Sequence, residues 1–179
     1  MTPEITAVWK QVTPALKADL LDMWQRNNVL RDPALAATRA DQAVCVARDD
    51  AGRIVAVGTA VVRVLPRLRQ PMYYYRQFFA SELRGKNQAV PFFARAKDIL
   101  ESYNAGLAAP ESLGVLLELE NPQLAKRYGM AQGPMTTFIG YSPRGLQLRV
   151  SYFKDATLLP PRDMPRRQGS PAGRRTAAG

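Results

Sequence analysis

Between Phe79 and Ala89 the sequence reads FASELRGKNQA, a short basic turn set between an aromatic run and an amphipathic one. A strand that feeds a helix through such a turn leaves the first helical N–H groups without internal acceptors, and the helix dipole there favours an anion. Arg84 and Lys86 add positive charge at the same place. The chemistry these residues support is the capture of a phosphate. Glu118 and Glu120 stand near the end of a later apolar run, a carboxylate pair that could accept a proton, or simply a solvated strand end. The chain has no histidine and one cysteine. That excludes Ser-His-Asp and Cys-His catalysis and histidine metal sites, and with one cysteine no zinc site is expected, so the expected metal content is none. Any chemistry must use carboxylates, Tyr, Lys, Arg, Ser or the backbone.

The elements that would position these residues can be read in order. Ile5 to Val12 alternates as a first strand. Thr13-Pro14 reads as an N-cap with proline at the first helical position, and Leu16, Leu20, Met23 and Trp24 form the buried stripe of a helix from Ala15 to Arg26. Asp32-Pro33 repeats the signal for a shorter helix to about Arg39. Ala43 to Ala47 and Ile54 to Leu65 read as a hairpin about a turn at residues 49–52. Met72 to Phe79 is the next strand, with Tyr73, Tyr74 and Tyr75 pointing alternately to its two faces. After the basic turn, Phe92, Phe93, Ala96, Ile99, Leu100 and Tyr103 define the buried stripe of a long helix. Leu113 to Leu119 is continuous enough for a central strand covered on both faces. A short helical turn over Gln123 to Tyr128 and a hairpin of Met135–Tyr141 with Leu146–Phe153 complete the order β-α-α-β-β-β-α-β-(α)-β-β.

At 179 residues, with 46% hydrophobic and 22% charged residues, the chain fits one soluble domain, assigned to residues 1–159. Residues 160–179 read as a disordered basic tail of Pro, Gly and Arg. They hold five arginines and one aspartate, a net +4 of the total +10, so the body is basic without them. Such a field favours phosphorylated ligands, nucleic acid or acidic surfaces, or serves solubility alone. No apolar run is long enough to span a membrane, and MTPEITAVWK does not read as a secretory signal. Cys45 lies in an apolar alternating run as a small core residue; a lone cysteine fits a reducing cytoplasm.

The element order, with the basic turn in that place, resembles the GNAT superfamily of acyl-CoA-dependent N-acyltransferases. The family's first signature runs V-x-P-x-x-R-G-x-G-x-G/A. Here Phe79 stands at the Val position and Ser81 at the Pro position. Arg84, Gly85 and Lys86 match outright, Asn87 stands at the next motif glycine, and Ala89 is an allowed last residue. The second signature is echoed by ENPQLAKRYGM, in which Asn121 and Tyr128 keep their spacing of seven while Gly129 arrives three residues early. The resemblance implies an α/β (α+β) fold, a mixed, mostly antiparallel central sheet flanked by helices, with splayed fourth and fifth strands. It implies acetyl-CoA or another acyl-CoA as co-substrate. The pyrophosphate would lie on Arg84, Gly85, Lys86, Asn87, Gln88 and Ala89, the pantetheine arm beside backbone groups of Gln77, Phe78 and Phe79, with Asn121 nearby. Tyr128 would be the general acid and Glu118 or Glu120 the general base. The implied reaction is direct acyl transfer to a small-molecule or peptide amine, with a homodimer left open.

Two other readings stand beside this one. Asn87, the shortened second signature and Pro91, which removes an N–H from the helix's first turns, suit a GNAT-like binding module without turnover. The tail and the Arg67/Arg69 loop suit a nucleic-acid-binding protein, although no nucleic-acid motif is visible.

Overall fold

The computed structural model describes residues 4–161, so most of the stretch read as a basic tail, 162–179, lies outside the described residues. The chain runs β1 (Ile5–Ala7), α1 (Pro14–Arg26), α2 (Pro33–Ala40), β2 (Ala43–Arg48), β3 (Ile54–Leu65), β4 (Gln70–Phe79), α3 (Ala89–Ala105), β5 (Gly114–Glu118), α4 (Pro122–Arg127), β6 (Thr137–Tyr141) and β7 (Gln147–Tyr152), with a 3-10 turn at Ser81–Leu83 before α3. The order is the one expected.

Three helices start where capping chemistry says they should. The Thr13 side chain accepts from Leu16 N at 3.2 Å, Asp32 accepts from Ala34 N and Leu35 N, and Asn121 accepts from Gln123 N at 2.9 Å; proline follows each cap. Strand β1 is shorter than its alternation suggested. Lys10 takes φ 61°, and Val8 and Trp9 are both buried in succession, so the chain turns inward there instead of continuing as a strand.

The seven strands lie in the order β1-β2-β3-β4-β5-β7-β6. Among the described residues only β4 and β5 pair in parallel. One face of the sheet packs Tyr73 and Tyr75 against Phe92, Phe93, Ala96 and Leu100 of α3. The other packs Val46, Ile54 and Val57 against Leu16, Leu20, Met23 and Trp24 of α1. Cys45 is fully buried among the core residues, where burial pushes its thiol up to about 12, so it is unreactive. Val115 and Leu116 of β5 are both buried, as a central strand requires.

The β4–β5 pair is pinned at one end and open at the other. Near its start, Ser112 Oγ accepts from Tyr73 N at 3.1 Å and Gly114 N at 3.2 Å, and Asn104 Oδ1 holds Glu111 N and Ser112 N. The register then runs Tyr73↔Val115, Tyr74↔Leu116, Tyr75↔Leu117 and stops. Strand β4 continues to Phe79 in step with β3, while Leu119, past the end of β5, donates to Gln147 O at 3.0 Å. Each strand follows its outer neighbour, and the two splay apart.

Candidate functional site

The splay opens a cleft lined by Tyr75, Gln77, Phe93, Leu117, Glu118 and Tyr128, among others. Two further hollows meet it. One lies toward the basic turn and is lined by Phe79, Arg84, Gly85, Asn87, Gln88 and Ala89, with Arg127 entering from α4. The other lies on the opposite face, between Trp24, Val29, Leu30 and Phe78. Gln77 borders all three. Its side chain is held by Tyr75 Oη, which donates to Oε1 at 3.2 Å, and by Ala89 O, which accepts from Nε2 at 3.3 Å. Gly58, opposite Gln77 in β3, leaves room for this arrangement: a Cβ there would lie 2.5 Å from Tyr75 Oη.

The basic turn is built to leave amides free. Gly85 takes φ +78° and Asn87 φ +55°, a region that glycine and asparagine enter most readily. Asn87 thus supplies the backbone conformation that glycine would. Its side chain makes no hydrogen bond among the described residues, and helix α3 has no side-chain cap. The N–H groups of Gly85, Asn87, Gln88, Ala89 and Val90 have no acceptor among the described residues; the first helical bond is Phe92 N to Gln88 O at 3.0 Å. Arg84 Nε donates to the carbonyl of Phe79 at 3.1 Å, which lays the guanidinium along the end of β4. Lys86 is exposed and does not line the hollow; its N–H donates to Leu83 O at 3.4 Å and its carbonyl accepts from Gln88 Nε2. The Phe78 ring turns to the opposite face, so only its backbone borders the splay. Asn121 lines both the cleft and the basic hollow, with its side-chain oxygen engaged as the α4 cap.

The two glutamates differ. Glu118 accepts from Tyr74 Oη and pairs with Arg144 at 2.9 Å, its side chain 10% exposed. Burial alone would raise its pKa, but hydrogen bonds from Arg144, Ser142 and Tyr74 outweigh that and hold it at about 2. A carboxylate so held is a weak base near neutral pH. Glu120 pairs with the same Arg144 at 2.7 Å but is 54% exposed and borders both the cleft and the opposite hollow. Tyr128 lines the cleft at the end of α4, and its hydroxyl makes no hydrogen bond among the described residues.

Behind Tyr128 lies Arg149 on β7, 1% exposed. It donates to Thr136 Oγ1 at 2.9 Å and Met130 O at 2.9 Å, and more weakly to the carbonyls of Tyr128, Ala131 and Thr136. Its guanidinium lies 5.2 Å from the Tyr128 ring centroid. It has no carboxylate partner among the described residues, so the Thr136 hydroxyl and a set of carbonyl dipoles carry a buried charge. Arg149, Arg76, Arg127 and Arg144 all escaped the sequence reading. A signal existed for two of them: Arg76 interrupts an aromatic strand and Arg149 an apolar one.

Neither a protein-family model nor a curated protein matches this chain. Solved structures do. A GNAT superfamily phosphinothricin acetyltransferase from Sinorhizobium meliloti, in complex with AcCoA, is 18% identical with a TM-score of 0.54, over 91% of this chain and 95% of that one. A GNAT-family acetyltransferase from Streptococcus pneumoniae is 12% identical with a TM-score of 0.51, over 84% and 99%. A mutant AtaT toxin bound to the C-terminus of the antitoxin AtaR gives 12% and 0.51, over 85% and 94%. At these identities the likeness is one of fold. Seven strands in a mostly antiparallel sheet, the single parallel pair splayed beside a basic turn and flanking helices on both faces give this chain the GNAT fold.

Proposed function

We propose that the protein is an N-acyltransferase that moves an acetyl or longer acyl group from coenzyme A directly to an amine. The observation that carries this reading is the row of N–H groups at Gly85 and Asn87–Val90 that have no acceptor among the described residues, at the mouth of the splayed β4–β5 cleft. Among the described residues no side chain bonds to that hollow's amides, and Arg84 and Arg127 border it, so a diphosphate fits the donor set. The structural neighbour solved with AcCoA has the same fold, which supports the same ligand here. Bound there, an acyl-CoA supplies the activated thioester; the rest falls to the chain's own residues.

Gln77 to Phe79 run beyond the last rung with β5, so their free edge would hold an extended ligand arm as a further strand does. Glu120 would accept the amine's proton, directly or through water, since it borders the cleft and the opposite hollow together. Tyr128 would donate its hydroxyl proton to the departing sulfur as the carbon–sulfur bond breaks and the carbon–nitrogen bond forms. Glu118 would set the Tyr74–Arg144 frame rather than take a proton. The single cysteine fits a reducing compartment, and we place the reaction in the cytoplasm. Among the described residues no helix is long and apolar enough to cross a membrane.

The test is calorimetric titration with acetyl-CoA followed by thiol release in the presence of an amine panel. Saturable binding with turnover is expected. Absence of binding at millimolar acetyl-CoA would overturn the reading, and binding without transfer to any amine would make the chain a binding module.

A further inference from the structure

The hollow on the α1–α2 side of the splay, about 220 Å³, has an unusual charge arrangement. Its walls are apolar at Trp24, Val29, Leu30 and Phe78, yet Arg39 and Arg76 both line it. Both arginines are half-buried, and neither has a carboxylate within ion-pair distance among the described residues. Arg76 donates to Tyr74 Oη at 2.9 Å and lies 4.3 Å from that ring's centroid, while Arg63 lies 4.6 Å from the same ring. Among the described residues the one carboxylate of the hollow is Glu120, which pairs with Arg144 at 2.7 Å. Burial and then the neighbouring Arg76 work against the charged form of Arg39, and Tyr74 and Glu120 offset them only in part. Grouping like charges in a half-buried apolar pocket is unfavourable unless an anion completes the set.

We infer that the acceptor is an amine carrying an oxyanion, a free carboxylate in the simplest case, gripped by Arg39 and Arg76 so that its amine lies toward Glu120 and the cleft. This rests on the acyl-transfer reading and names its substrate class. Arginine suits the task because its planar donors match a carboxylate's two oxygens. The apolar walls suit an aliphatic or aromatic side chain on an amino acid, and the hollow's size suits a small molecule. A polyamine would be repelled by the same two arginines.

The experiment uses matched pairs, each of alanine, leucine, methionine and phenylalanine against its own carboxamide. Acetyl-CoA affinity is measured first by calorimetry, and acetyl transfer is then followed by thiol release. At least one amino acid is expected to exceed its carboxamide in kcat/KM by roughly 10- to 100-fold, the range for a hydrogen-bonded charged group. In Arg39→Met that preference should collapse through a higher KM for the amino acid, with acetyl-CoA affinity unchanged. Equal use of both members of every pair, preference for the carboxamides or for spermidine, or no transfer to any amino acid would overturn the inference. Should acetyl-CoA not bind, the acyl-transfer reading falls by itself. The same pairs titrated into the free protein then decide the pocket: amino-acid binding lost in Arg39→Met upholds it, and equal or absent binding overturns it.

Discussion

Replacing Glu118 with glutamine tests whether this carboxylate is a frame or a base. The hydrogen bonds from Arg144, Ser142 and Tyr74 bring its pKa from the ordinary 4.5 to about 2 in the folded protein. A depressed carboxylate stabilises the fold fully above its unfolded pKa and ceases to do so as pH falls through the folded value. With ~1.36 kcal/mol for each factor of ten in proton affinity, the gross linkage is about 3 kcal/mol. Arg144 is 56% exposed, so solvent screening reduces this to roughly 1–2 kcal/mol. Urea unfolding of the wild type and Glu118→Gln between pH 7 and pH 2 measures it. The variant should be less stable by that amount at pH 7, the gap should close between about pH 4.5 and pH 2, and kcat at pH 7 should fall less than tenfold. A stability difference that does not change with pH would refute the electrostatic argument. Loss of kcat by two orders of magnitude or more, at unchanged stability, would make Glu118 the base.

Three further substitutions separate the remaining roles. Tyr128→Phe should lower kcat by about 100-fold or more while leaving acetyl-CoA affinity and folding nearly unchanged, because its hydroxyl has no partner among the described residues to lose; stopped-flow transfer assays and calorimetry check both. Glu120→Gln should lower kcat/KM by about 100-fold, with stability within about 0.5 kcal/mol, since the side chain is exposed. Arg149→Met should cost about 2–4 kcal/mol in urea unfolding, because the carbonyls of Met130 and Thr136 lose a buried donor.

The fold was legible where local chemistry decides. Thr13-Pro14 and Asp32-Pro33 announced two helices, the valine-rich run Ile54–Leu65 came out with its expected bounds, and the three tyrosines alternate between faces as strand geometry demands. The start of β4 at Gln70 was not legible. Gln70 pairs with both backbone groups of Leu159, through Nε2 at 2.8 Å and Oε1 at 3.0 Å, a partner far along the chain. Of the site, the basic turn could be read because one segment builds it, and Asn87 does there what a glycine would. The arginines were harder to read. Arg76 and Arg149 stand out only as charges that interrupt apolar strands, and with Arg39 on α2 and Arg144 in the β6–β7 turn they acquire meaning only when the splay brings their surroundings together. Glu118 and Glu120 look alike in sequence; only their distances to Arg144 and Tyr74 and their different exposure set them apart.

Backbone amide NMR during an acetyl-CoA titration addresses the turn itself. Saturable shifts largest at Gly85, Asn87, Gln88, Ala89 and Val90 are the result expected if these donors hold a diphosphate. Unmoved resonances at those five positions at millimolar acetyl-CoA, or shifts confined to other parts of the chain, would contradict it.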